Sequence, residues 1–226
     1  MTSADSIHGD AGDARRGPRA DPWILLGYSV AVALWSLIGC ADVGTWAFEI
    51  TPGSVCIIAI FLLRRRFPFS GLAYLLAGAH FTILAVGAKY TYAQEPLFNW
   101  LREALGLARN HFDRVGHFAQ GFVPAIFVRE VLLRKTPLRP GKVLGLLSVC
   151  ACLAFSAFYE ILEWWMVIVF YPDKGPEWLG MQGDPWDAQG DMLMALLGAL
   201  LSMLLLSRLH DRSLARLEAR SGRHLA

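Results

Sequence analysis

The sequence predicts an all-α polytopic membrane protein, a bundle of six transmembrane helices with one further helix at the membrane interface. Of its 226 residues, 55% are hydrophobic and only 18% are charged, against ~25% charged residues in soluble domains. A span needs about 20 apolar residues to cross a ~30 Å hydrocarbon core. Six stretches come close to this length, at residues 23–41, 45–63, 71–92, 115–133, 143–170 and 191–207.

The second and fourth stretches carry polar residues. In the second, Glu49 and Pro52 interrupt the first half, so a short or re-entrant span is the alternative to a full crossing. The fourth holds His117, Arg129 and Glu130 close to its ends, where polar side chains reach the interface at least cost. We therefore count both among the spans.

The positions of Lys and Arg predict the orientation. With a cytoplasmic N-terminus, 15 of the 21 basic residues fall in inner segments and four in outer segments. Since inner loops carry the excess of basic residues, both termini are expected in the cytoplasm. The protein would be a multi-pass membrane protein.

The chain divides into three parts. Residues 1–21 are polar and predict a disordered cytoplasmic tail. Residues 22–207 form the six-helix membrane domain, and residues 208–226 form a basic juxtamembrane tail in which arginine recurs every fourth residue. Attraction to anionic lipid, about 1 kcal/mol per basic residue, explains that tail without a nucleic acid.

The two predicted outer loops differ in character. In residues 93–112, Leu97, Leu101, Leu105 and Ala108 recur every third or fourth residue after Pro96. This pattern predicts an amphipathic helix on the outer leaflet. Residues 171–190 are rich in proline and glycine and predict an irregular loop.

The four cysteines form no CxxC pair and lie in apolar surroundings, which predicts buried free thiols. Leu37 to Cys40 resemble a lipoprotein processing box, so a lipidated Cys40 is an alternative fate for the N-terminus.

Polar residues cluster where predicted spans meet the outer side. On the fourth span Asp113, His117 and Gln120 have three- and four-residue spacings and share a helical face. A carboxylate one turn from an imidazole suits acid–base catalysis or metal ligation, and the structural alternative is a pair that anchors a helix end.

The fifth and sixth spans add carboxylates at the same depth. Glu160 and Glu163 are three residues apart, and two carboxylates this close in a poor dielectric need a cation or a shared proton. Asp184 and Asp187 suit a helix N-terminus, whereas Asp191 lies one turn further in. A structural alternative pairs a glutamate with Arg114 or Lys89.

These residues could serve in catalysis or in metal binding, and the sequence does not decide between the two. The candidate catalytic residues are His117, Asp113, Glu160, Glu163 and Asp191. The cofactor is unknown, and a divalent metal is an option because oxygen and imidazole ligands suit Mg, Mn or Zn. The candidate metal ligands are Asp113, His117, Glu160, Glu163, Asp187 and Asp191, with His80 and Lys89 as further neighbours.

Three segments, DRVGHFAQGFVPA, FSAFYEILEWW and MQGDPWDAQGDMLMALLGA, resemble the YjdF-like bacterial inner-membrane proteins, a family of unknown function. The resemblance implies a six-span inner-membrane protein and no known activity. A more distant similarity is to the VanZ-like membrane proteins. It rests on Asp113 with His117, on Glu160, and on Asp191 with Gly198. Glu163 and Ala195 replace that family's usual Gln and Asn. The VanZ resemblance implies a cell-envelope role in glycopeptide resistance.

Three functions fit these observations. The first is binding or processing of an amphiphilic envelope lipid or lipid-linked precursor at an outer-leaflet polar site. If the protein is an enzyme, His117 oriented by Asp113 would be the base. The second is a cation- or proton-coupled transporter, against which the few polar groups in the inner halves weigh. The third is a non-catalytic membrane scaffold.

Overall fold

The computed structural model describes residues 21–170 and 181–221, which fold into eight α-helices with no strand. A single 3-10 turn at Met181–Gly183 precedes the last helix. The helices are α1 Asp21–Leu37, α2 Val43–Leu63, α3 Gly71–Tyr90, α4 Pro96–Leu105, α5 Phe112–Phe122, α6 Pro124–Lys135, α7 Lys142–Phe170 and α8 Asp187–Ser221. The tail predicted for residues 1–21 lies outside the described residues except for Asp21, and so does the loop over residues 171–180.

The all-α prediction is confirmed, and the number of spans stays a prediction. Among the described residues, α2, α3, α7 and α8 are long and apolar enough to cross a membrane. Helix α1 is apolar but has 17 residues, about 26 Å of helix. The predicted fourth span is divided between α5 and α6.

The prediction of one continuous fourth helix is wrong because of Pro124. Proline has no backbone N–H, and its ring clashes with the carbonyl one turn earlier. Accordingly α5 ends at Phe122, and α6 begins at Pro124.

The re-entrant alternative for the second span is wrong, since α2 runs unbroken through Pro52. The side chain of Asp42 caps its first turn by accepting a hydrogen bond from the Thr45 backbone N–H at 2.7 Å. A helix satisfies its remaining backbone groups internally, which lipid requires, so losing one donor at Pro52 is tolerated.

The predicted interfacial helix is α4. The Glu95 carboxylate accepts a hydrogen bond from the Phe98 backbone N–H at 2.8 Å, and Pro96 occupies the first turn. Gly106, with φ +64°, ends the helix, so Ala108 lies outside it, contrary to the predicted repeat. Leu97, Trp100 and Leu105 are exposed on its surface.

The cysteine prediction is wrong in part. All four thiols are free, but only Cys152 is buried, and Cys56 and Cys150 are exposed. Both lie in helices that can span a membrane, where a thiol facing hydrocarbon behaves as a small hydrophobe.

The helices form two groups that meet at α3. Helices α1 and α2 pack on α3, whose small buried residues Ala73, Ala77 and Ala85 allow close approach. Helices α5, α6, α7 and α8 form the second group, in which α5 and α8 share the most extensive contact. Helix α3 contacts α5 and α8, and residues of both α2 and α7 line the space between the two groups.

Candidate functional site

Two arginines and four aspartates meet where α5 and α8 begin, and we call this set the aspartate cluster. Arg114 donates to Asp191 at 2.5 Å, to Asp187 at 2.9 Å and to Asp184 at 3.0 Å. Arg109 donates to Asp187 at 2.5 Å and to Asp184 at 3.1 Å. The cluster members are Arg109, Asp113, Arg114, Asp184, Asp187 and Asp191.

Glycines bring the two helices that carry the cluster into backbone contact. A Cβ on Gly121 of α5 would lie 1.8 Å from the carbonyl oxygen of Ala195 on α8. A Cβ on Gly198 would lie 2.1 Å from the carbonyl oxygen of Phe118. Gly190 makes room for Arg114, because a Cβ there would meet the guanidinium at 2.6 Å. Small residues thus hold the charged groups at one depth.

The loops above the cluster are fixed by amide hydrogen bonds. The Asn110 backbone N–H donates to Gln182 Oε1 at 2.8 Å, and Gln182 Nε2 donates to the Asn110 carbonyl at 2.9 Å. Asn110 Nδ2 also donates to the Asn99 side-chain oxygen at 2.9 Å. These bonds join the α4–α5 loop to the chain that enters α8.

The two loop residues of the aspartate cluster, Asp184 and Arg109, are ionised. A hydrogen bond from the Trp186 backbone N–H lowers the pKa of Asp184 below its ordinary value, and Arg109 and Arg114 lower it further. Burial alone would lower the pKa of Arg109, but the hydrogen bond and charge of Asp187 raise it above the ordinary value. These loop residues are therefore ionised near neutral pH.

His117 lies in the second turn of α5, between three carboxylates. Its Nε2 is 3.6 Å from Asp113 Oδ1 and 3.7 Å from Asp191 Oδ1. Its Nδ1 is 3.8 Å from Glu160 Oε1, and neither of these two buried atoms has a hydrogen-bond partner in the part of the chain that the structure describes. All three separations exceed a hydrogen bond, so Asp113 does not fix the imidazole by direct hydrogen bonding.

The two glutamates of α7 face different spaces. Glu160 approaches His117 and lines a small cavity with Trp164 and Met192. Glu163 lines the large interior cavity. Neither forms an ion pair with Arg114 or Lys89 among the described residues, since Arg114 binds the aspartates. The Lys89 ammonium instead donates to the Ile38 carbonyl.

A cavity of about 550 Å³ occupies the space between α2, α3, α5, α6 and α7. Its polar lining lies toward the aspartate cluster and comprises Glu49, Tyr92, Asp113, His117, Gln120, Tyr159 and Glu163. The rest is chiefly apolar and reaches Leu63 and Phe69 toward the opposite end, with His80 in between. Phe48 and Phe155 line the cavity and are also 42% and 50% exposed, so it opens on the surface between α2 and α7.

The opposite end of the bundle holds a second buried polar set, the Glu130 network. Glu130 accepts hydrogen bonds from the Ser70 backbone N–H at 3.0 Å, from Arg134 at 2.8 Å and from His210 Nε2 at 3.0 Å. Arg129 Nη1 lies 2.8 Å from His210 Nδ1. Because a guanidinium only donates, Nδ1 must accept and Nε2 must carry the proton.

Sequence reasoning missed His210 by assigning it to a surface helix. The halves of the spans that are predicted to lie on the cytoplasmic side are thus more polar than expected. A signal was present, because Ala195, Ala199, Ser202 and Leu206 recur at helical spacing, and His210 continues that face. Glu49 and Tyr92 were also missed as cavity residues.

The predicted site residues therefore separate into three groups. Asp113, His117 and Asp191 offer ligand atoms that all lie within 4.8 Å of one another, close enough to hold a metal ion. Asp187 is engaged by both arginines. Glu160 approaches the imidazole from its other side, and Glu163 faces the cavity. The arrangement can bind a cation, accept a proton at His117 or accept hydrogen bonds from a ligand head group.

Comparisons with known proteins also indicate that the chain is a membrane protein. A family model described as predicted membrane protein (DUF2238) matches residues 22–212. The chain is 42% identical to inner membrane protein YjdF of Escherichia coli (strain K12) over 185 residues, 82% of this chain and 88% of that protein. No solved structure matches the chain. The similarity to VanZ-like proteins stays a prediction.

Proposed function

The chain belongs to the DUF2238 family of membrane proteins, and on that premise we propose that it binds an amphiphilic lipid or lipid-linked precursor of the cell envelope. The hydrocarbon chain would occupy the interior cavity, and the head group would contact the polar residues at the end of the cavity beside the aspartate cluster. The observation that carries the proposal is the polarity gradient of this cavity.

The cavity has the size and composition of a ligand site. Its volume of about 550 Å³ falls within the ~300 to 1,000 Å³ usual for small-molecule sites. Apolar side chains such as Ile57, Ile60 and Phe127 line its length, and polar groups lie at one end. A ligand with one apolar and one polar end would match both regions at once.

The polar lining favours a head group that donates hydrogen bonds. Glu49, Asp113 and Glu163 supply carboxylates, and no Lys or Arg is among the described residues that line the cavity. Carboxylates accept from ammonium and hydroxyl groups and repel an unshielded phosphate. We expect an amine or a sugar hydroxyl in contact with these acids.

The opening between α2 and α7 supplies an entry route. The exposed Phe48 and Phe155 lie on helices long enough to span the membrane. A lipid could enter sideways from the bilayer with its chain remaining in an apolar environment, so the chain would not cross water. Transport is less favoured, because the described residues around the middle of the cavity include only His80 and two thiols as titratable groups.

Native mass spectrometry of the full-length protein in detergent tests the proposal. We expect wild type to retain close to one amphiphile per chain after detergent exchange. Ala151→Trp should abolish retention because Ala151 is exposed and lines the cavity mouth. Ala154→Trp is the matched control on α7, exposed but not among the cavity residues, and should retain the amphiphile. Absence of a bound amphiphile in wild type, or equal retention by both variants, would overturn the proposal.

A further inference from the structure

We propose that Asp113, His117 and Asp191 form a binding site for a divalent transition-metal ion of the Zn²⁺ or Mn²⁺ type. The two aspartates would each supply one carboxylate oxygen, and His117 would supply Nε2. This site does not require the cavity to hold a lipid, so it stands or falls separately from the proposed function.

The distances match ligands that share an ion. His117 Nε2 lies 3.6 Å from Asp113 Oδ1 and 3.7 Å from Asp191 Oδ1. Metal–ligand bonds of ~2.0 to 2.1 Å in a tetrahedral site place neighbouring ligand atoms about 3.3 Å apart. The observed separations exceed that spacing by a few tenths of an ångström and are too long for hydrogen bonds. All three ligand atoms lie within 4.8 Å of one another, so a small inward shift would let them share an ion. Asp191 Oδ1 also accepts a hydrogen bond from Arg114, so this aspartate would bridge the guanidinium and the ion.

The charge balance of the aspartate cluster leaves room for a bound cation in place of shared protons. Asp113, Asp184, Asp187 and Asp191 outnumber Arg109 and Arg114 by two formal charges. The side chains of Asp113 and Asp191 are only 11% and 4% exposed, and uncompensated charge is costly in such surroundings. One divalent ion bound by neutral His117 would bring the cluster to zero net formal charge.

Glu160 supplies the partner that a metal-bound imidazole needs. When Nε2 binds a metal, Nδ1 carries the proton, and in metal sites it usually donates to a carboxylate or carbonyl. His117 Nδ1 and Glu160 Oε1 are 3.8 Å apart and buried, and within residues 21–170 and 181–221 neither has another hydrogen-bond partner. A shift of about 1 Å would complete this hydrogen bond.

The types of ligand atom determine which class of metal ion the site would prefer. One imidazole and two carboxylates suit Zn²⁺ or Mn²⁺ better than Cu⁺, which prefers sulfur ligands. Three protein ligands leave a coordination position for water or a head group, as in catalytic rather than structural zinc sites. His117 and Asp113 also line the large cavity, so that position is accessible from it.

Metal titration of the purified full-length protein tests the site. We would remove metal with a chelator, add Zn²⁺, Mn²⁺ or Co²⁺, and measure bound metal per chain by elemental analysis. Wild type should bind one equivalent, and the Co²⁺ form should show visible d–d bands of a four- or five-coordinate nitrogen–oxygen site. His117→Ala and Asp191→Asn should each weaken binding at least tenfold.

Matched controls separate ligation from folding. His80→Ala removes another cavity imidazole, and Glu103→Gln removes an exposed carboxylate of α4; both lie outside the aspartate cluster, so both variants should bind metal like wild type. If Asp191→Asn elutes as an aggregate, His117→Ala, which breaks no arginine bond, decides the outcome. Wild type without stoichiometric metal, or equal binding by His117→Ala and His80→Ala, would overturn the site whether or not a lipid is bound.

Discussion

The carbonyl oxygen of Ala195 on α8 occupies the space that a side chain on Gly121 of α5 would need, with 1.8 Å between it and an ideal Cβ. The contact lies two turns into α5 from Asp113 and one turn into α8 from Asp191. Backbone contact at this point therefore sets the spacing of the aspartate cluster.

Gly121→Ala should separate α5 from α8 and destabilise the protein by at least about 1 to 3 kcal/mol, the usual effect of overpacking. Thermal unfolding in detergent measures the change. Gly145→Ala is the control, because a Cβ there meets nothing within 4 Å in α7 and alanine favours a helix by ~0.5 to 1 kcal/mol. Equal melting temperatures for the two variants would contradict the close contact.

Much of the fold could be predicted from sequence because long apolar stretches and caps are local signals. Pro96 and Gly106 mark both ends of α4. The break at Pro124 and the continuity at Pro52 could not both be predicted, since the same residue type ends one helix and is tolerated in another. Packing against neighbouring helices decides such cases.

Glu130→Ala should lower the yield of folded protein or destabilise it by about 3 to 5 kcal/mol, since it leaves the buried His210 Nε2 without its acceptor and takes from Arg134 the carboxylate that it binds. Glu103→Ala is the control, because Glu103 is 75% exposed and 3.9 Å from Arg102, where a salt bridge contributes ~0 to 1 kcal/mol. Melting curves compare the two, and a Glu130→Ala protein as stable as Glu103→Ala would show that the network is dispensable.

The convergence of Asp113, His117 and Asp191 could be expected from helical spacing and membrane depth, whereas their partners could not. From the sequence alone, Arg114 could pair equally well with Glu160 or with the aspartates. Only the backbone contact between α5 and α8 directs its guanidinium to Asp184, Asp187 and Asp191. Partner choice among residues distant in sequence requires the packed structure.

Asp184 should make stability depend on pH. Its pKa is lowered in the folded state, so its contribution is present above the ordinary value of 3.8 and is lost as the pH falls through the folded pKa. The melting-temperature difference between wild type and Asp184→Asn should therefore be constant near neutral pH and shrink below about pH 4. A difference that grows on acidification would contradict the lowered pKa.

Glu163→Gln should weaken binding of an amphiphile with an amine head group, because it removes a carboxylate from the cavity lining. Loss of one charged hydrogen bond corresponds to about 1.5 to 3 kcal/mol, or roughly ten- to a hundredfold in affinity. Phosphatidylethanolamine titrated into nanodiscs and followed by native mass spectrometry gives the affinity, with Glu103→Gln on exposed α4 as control. Equal affinities for the two variants would remove Glu163 from the head-group site.

The aspartate cluster should face the periplasm, since the basic residues of the chain predict that the loop between α6 and α7 is cytoplasmic. Leu107→Cys and Arg139→Cys in a cysteine-free background test this, because both positions are exposed in loops at opposite ends of the bundle. A membrane-impermeant maleimide applied to spheroplasts should modify Leu107→Cys at once and Arg139→Cys only after the membrane is broken. Labelling in the reverse order would place the cluster in the cytoplasm, where an outer-leaflet head group could not reach it.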